Sequence, residues 1–142
     1  MKKLFVLLLI ILLLVGCGSG GSDDVLEIGE RFFIAEMTNI NMNAGDYVGR
    51  TIRYEGMFRN LHWEATGEDY HQVIRTAFGC CGNDGIVGFE VYLGDIPPLP
   101  NDAWVEVEGV LEWYEVGGTR FLRVRATSIT ELEERGSEFV TA

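Results

Sequence analysis

Beyond Lys3 the 142-residue chain has no lysine, and its 11 basic side chains face 22 acidic ones, a net charge of -11. That scarcity excludes a Schiff-base or phosphate-loop lysine and leaves no clustered cations for a polyanion, so nucleic acid is not an expected partner. Only three prolines, beside 47% hydrophobic residues, exclude a disordered chain. The length leaves no room for two domains of about 100 to 150 residues, so a single core is expected. No Ser-His-Asp order, HExxH pair or phosphate-cradling glycine loop occurs, and an enzyme is not expected.

One long apolar run is present, Leu4 to Val15, preceded by Lys2 and Lys3. It is too short to cross a hydrocarbon core as a helix, which takes roughly 20 residues, and reads as a signal-peptide core. Its end, Leu14-Val15-Gly16-Cys17, resembles the lipobox of bacterial lipoproteins, and Gly18-Ser19-Gly20-Gly21-Ser22 follows as a flexible spacer. The expected organisation is therefore residues 1–16 as signal peptide, 17–24 as acylated cysteine and linker, and 25–142 as the folded domain. Cys17 is the lipidation candidate. Its acyl chains would hold the protein on the extracytoplasmic face of a bacterial cell membrane. The alternative is an uncleaved anchor helix.

Within the domain, Val25 to Ile40 fits a strand followed by a helix, and Asn43 is placed to cap a helical turn through Tyr47 that Gly49 stops. From Thr51 onward the period is two. Ile52, Tyr54 and Phe58 share one face, with Thr51, Arg53, Glu55 and Met57 on the other. Strands are expected over His71 to Phe78 and Ile86 to Leu93, joined as a hairpin by Gly79-Cys80-Cys81-Gly82-Asn83-Asp84-Gly85. Pro97, Pro98 and Pro100 stiffen the next connection. Val105, Val107 and Leu111 then alternate with Glu106, Glu108 and Glu112 around Gly109, and Gly117-Gly118 turns into a last strand, Phe121 to Ile129. About five strands, the first and fourth broken by glycine, predict a mainly β fold: a small Greek-key barrel of the OB type with a short N-terminal helix. Two packed sheets are the alternative. The charged tail from Glu131 is expected to fray.

Tyr47-x-Gly49-Arg50-Thr51-Ile52-x-x-Glu55-Gly56, then Arg75, Cys80-Cys81-x-x-Asp84 and Trp104-Val105-x-Val107-Glu108-Gly109 occur in that order. The set resembles the C-terminal domain of YcgQ-like bacterial membrane proteins. The resemblance implies an extracytoplasmic OB-like domain, often attached to membrane helices and encoded beside a permease. It implies a context rather than a reaction. Relatives carry Cys-Cys-x-Ala-Asp-Ala where this chain has Cys80-Cys81-Gly82-Asn83-Asp84-Gly85, which keeps both thiols and the carboxylate in a looser loop.

Three readings of this loop stand side by side. Both thiolates with Asp84 and His71 or His62 would suit zinc or copper(I), although structural zinc sites separate paired cysteines by about two to four residues. Adjacent cysteines also form a strained, reducible disulfide, because their alpha carbons lie about 3.8 Å apart. The third reading is a pair of small packing residues with Asp84 bonding its own turn. Elsewhere, Trp63, Trp104, Trp113 and Tyr114 are candidates for a stacking platform, and Glu106, Glu108 and Glu112 read as a solvated face met by Arg123 and Arg125. The leading expectation is a membrane-anchored lipoprotein whose OB-like domain binds a ligand or a permease through Cys80, Cys81 and Asp84, with His71 and Arg75 contributing. A vicinal-thiol redox protein and a purely structural envelope module are the alternatives.

Overall fold

The computed structural model describes residues 24–64, 66–79 and 85–141. The chain enters through β1 (Leu26–Ile28) and a 3-10 turn (Glu30–Phe32), then α1 (Phe33–Met42) and α2 (Ala44–Tyr47). Five longer strands follow: β2 (Thr51–Trp63), β3 (Glu68–Ala77), β4 (Gly85–Tyr92), β5 (Trp104–Val116) and β6 (Thr119–Glu131), before the short β7 (Phe139–Val140).

β2 organises the barrel because it belongs to two partners in turn. Its first half, Thr51 to Met57, runs antiparallel to β5, and its second half, Met57 to Trp63, runs antiparallel to β3. Gly56 sits at the bend, where a β-carbon would lie 2.8 Å from the Ile74 carbonyl oxygen; a side chain there would force the two strands apart. β3 pairs with β4, β4 runs parallel to β6 through Glu90–Tyr92 and Arg123–Arg125, and β6 returns along β5. The circuit β2-β3-β4-β6-β5 is closed, and β1 and β7 add outer strands to β2 and β3. At the register shift beside Glu108 and Gly109 the extra residue, Thr127, lies on β6 and bends that strand, and Gly117 and Gly118, both with positive φ, make the two-residue turn into β6.

Alternation fills the interior. Ile52, Tyr54, Phe58, Val73, Val91, Val105, Val107, Leu111 and Val124 point inward. Phe33, Met37 and Ile40, spaced on one face of α1, join the same core and place the helix against the barrel. Phe33 packs on Tyr54 with ring centroids 6.0 Å apart. The Tyr54 hydroxyl, fully inside, donates to the Val73 carbonyl at 3.0 Å and accepts from the Phe89 amide at 3.3 Å; burial pushes its pKa up, so it remains a neutral donor.

The strand-then-helix order of the N-terminal segment, the hairpin, the glycine-broken strands and the five-strand barrel all match the sequence expectation. Two details differ. Met57, expected outside, is 2% exposed, because at the bend it pairs with both Trp104 and Ile74 and the inside-outside alternation slips. The tail does not simply fray: Val140 is buried and pairs with Ala77, a two-residue strand too short to leave a periodic signal.

Candidate ligand-binding cleft

A cleft of about 880 Å³ opens over the ends of β3 and β4 nearest the β2–β3 turn, with β5 and β6 as its far wall. Trp63 is the last residue of β2, and Tyr70 to Gln72 and Glu90 to Tyr92 are brought side by side by the β3–β4 pairing. Tyr114 and Phe121 face each other across the β5–β6 hairpin, their rings 5.7 Å apart. Three aromatics of the cleft are unusually open for their size, Trp63 at 42%, Tyr92 at 46% and Phe121 at 40% exposure.

The polar groups among them are ordered. The Tyr114 hydroxyl donates to the Glu90 carboxylate, and burial first, then that carboxylate, pushes the phenol pKa up, so the hydroxyl keeps its proton. The Arg123 guanidinium lies 4.4 Å from the Tyr92 ring centroid and 4.5 Å from that of Tyr114, while its Nε donates to Glu112 at 2.9 Å. His71 stacks on Phe58 with centroids 5.5 Å apart, and its Nδ1 lies 2.9 Å from the Asn60 side-chain oxygen. Burial lowers its pKa and favours the neutral ring.

Arg75 does different work. It is 2% exposed, sandwiched between Phe33 at 4.8 Å and Trp104 at 4.9 Å. Its Nε donates to the Glu55 carbonyl at 2.8 Å, and its Nη1 donates to the Glu30 carboxylate and the Ser137 carbonyl, both at 3.2 Å. One guanidinium thus ties the N-terminal turn, β2 and the C-terminal tail together. The Ser137 amide and Arg75 together hold the Glu30 carboxyl below its ordinary range.

Cys17, Cys80, Cys81 and Asp84 lie outside the described residues. The loop carrying the cysteine pair springs from Ala77 opposite Gly85, whereas His71 pairs with Val91 at the cleft. Six steps of strand separate His71 from Ala77, roughly 20 Å at about 3.3 Å each. His62 sits on β2 opposite Asp69, its Nδ1 2.7 Å from that carboxylate. Of the four candidate platform residues, Trp63 and Tyr114 line the cleft, Trp104 packs against Arg75, and Trp113 lies outside under Arg120. Tyr70, Tyr92, Phe121 and Glu90 were not singled out from sequence. Their signal, an aromatic or acid at both ends of two hairpins, becomes a site only when the barrel closes. Glu112 meets Arg123 and Arg125, as the cross-strand reading expected, whereas Glu108 pairs with Arg53 on β2 instead. Among the described residues, no group of three or more His, Cys, Asp or Glu is arranged to hold a metal, and no helix is long and apolar enough to cross a membrane.

A closed five-stranded barrel whose first strand serves two sheets and whose third and fifth strands pair in parallel is an OB-type fold. The chain belongs to the DUF1980 C-terminal domain family, whose model matches residues 18–141, and the resemblance read from the sequence stands. Among solved structures it is similar to the dimeric N-terminal domain of PriB protein from Thermoanaerobacter tencongensis, at 20% identity, with a TM-score of 0.35 over 59% of this chain and 97% of that one. No curated protein matches.

Proposed function

We propose that this protein is a binding module, lipid-tethered through Cys17 on the extracytoplasmic face of a bacterial membrane, that uses the cleft to hold a ligand, in association with a permease. The observation that carries the reading is the cleft itself: open aromatic faces gathered from three strands, at the face and loops where OB barrels bind their ligands. Large aromatics left open around a concave site favour recognition, since burying them on a ligand removes apolar area from water. β3 and β4 pair as far as Ala77 and Gly85, away from the cleft, and a metal or thiol role for Cys80, Cys81 and Asp84 is no part of this reading.

Site-specific photo-crosslinking in intact cells tests the reading. A cross-linking side chain at Tyr92 is expected to capture a ligand or membrane partner that the same side chain at Thr127, outside the cleft, does not. Equal capture from both positions, or none from Tyr92, would remove the cleft as the binding site.

A further inference from the structure

The cleft's charge and its aromatic walls together specify what it takes. We propose that its ligand is a small aliphatic oligoamine, a flexible chain of methylenes carrying spaced ammonium groups; this rests on the reading of the cleft as the binding site.

Four carboxylates line the cleft: Glu68 and Asp69 at the start of β3, Glu90 on β4 and Glu115 on β5. Arg123 is the one arginine among the described lining residues, and its guanidinium is already committed to Glu112 and to two tyrosine rings. His71 is held toward neutrality and adds no opposing charge. Asp69 pairs with His62 at an exposed position, and Glu90 accepts from Tyr114, so neither carboxylate has an arginine partner within the cleft. A concave site with excess carboxylate concentrates cations, and the surrounding chain, with 22 acids, adds to the field. Charge alone would accept any cation. The open faces of Trp63, Tyr92 and Phe121 add a second requirement, because π faces attract ammonium groups and cover methylene stems. A cleft of about 880 Å³ suits a compact organic molecule rather than a folded partner. Phosphates, nucleotides and acidic sugars are disfavoured by the same carboxylates.

The test is titration of the purified full chain in neutral detergent, followed by calorimetry and tryptophan fluorescence. The probes are spermidine, hexalysine, a neutral maltooligosaccharide and magnesium chloride. Spermidine is expected to bind with near-equimolar stoichiometry, perturb the fluorescence and weaken as salt rises. The variant Glu68→Gln with Asp69→Asn, both exposed at a strand start, is expected to bind at least about tenfold more weakly. So is Trp63→Ala, by a few-fold or more. The variant Glu133→Gln with Glu134→Gln, which removes the same charge from the exposed tail, is expected to bind as the parent does. Circular dichroism confirms that each variant is folded. Equal weakening in the tail variant, or displacement of spermidine by magnesium at equal charge, would reduce the effect to bulk charge and overturn the proposal. Tighter binding of hexalysine than of spermidine would replace the oligoamine with a basic peptide. Binding of the maltooligosaccharide alone would overturn the cationic ligand while leaving the cleft as a binding site. Silence from every probe, joined to failed cross-linking at Tyr92, would remove both.

Discussion

Two glutamates on neighbouring elements should respond to acid in opposite directions. Glu30 accepts from the Ser137 amide and from Arg75, and its folded pKa lies below the ordinary 4.5. Its contribution to stability is therefore complete above that value and is lost as pH falls through the lower, folded one. Glu30→Gln should be less stable than the parent at neutral pH, and the difference should vanish in acid. Glu36, half-buried on α1, has one carboxylate oxygen inside with no hydrogen-bond partner, and burial raises its pKa. The ionised form then costs stability above the raised value, and the cost disappears once pH falls below 4.5. Glu36→Gln should gain about 1 kcal/mol at pH 7, narrowing toward acid. Urea unfolding across the acidic range measures both; parallel pH profiles for the two variants would contradict this account. Arg75→Met removes the buried donor to the Glu55 and Ser137 carbonyls and the cation that the partly exposed Glu30 and Glu55 carboxylates face, and should cost about 2 kcal/mol.

At the scale of elements, closure depends on β2 changing partners within a few residues. Gly56→Val places branched carbons where the Ile74 carbonyl oxygen is 2.8 Å from the first of them, and should lower stability by about 3 kcal/mol or prevent folding. Gly45→Ala, on α2 with nothing within 4 Å of the added carbon, should be neutral or stabilising. Equal losses in both would mean that the bend tolerates a side chain. The same elements show what a sequence pattern can and cannot carry. The inward rows of β5 and β6 were legible because alternation is local, and so was the pairing of Glu112 with Arg123. β7 was not, because two residues hold less than one period, and Met57 was misplaced because alternation assumes a strand with one pair of neighbours.

For the whole molecule, the proposed tether and the proposed cleft binding can be tested separately. Mass spectrometry of the protein from its membrane should find an acylated N-terminal peptide beginning at Cys17, and Cys17→Ala should retain residues 1–16. An intact Met1 on the parent chain would replace the lipid with an anchor helix. Cleft binding should survive Cys17→Ala, because the barrel closes through contacts among β2 to β6 and needs no anchor for its geometry.

Local order alone carried the address-like N-terminus, the lysine-free acidic character, the strand succession and the family motifs, because each depends on residue type and spacing along the chain. The positions of Arg75 and of the cleft were decided in three dimensions. Arg75 is named by the family motif, but its burial and its tie to Glu30 and Ser137, far away in sequence, exist only in the fold. Trp63, Tyr92 and Phe121 lie on three separate strands and meet only because β4 and β6 pair in parallel to complete the barrel. His71 lies at the cleft, six positions along β3 from Ala77, because an extended backbone advances about 3.3 Å per position.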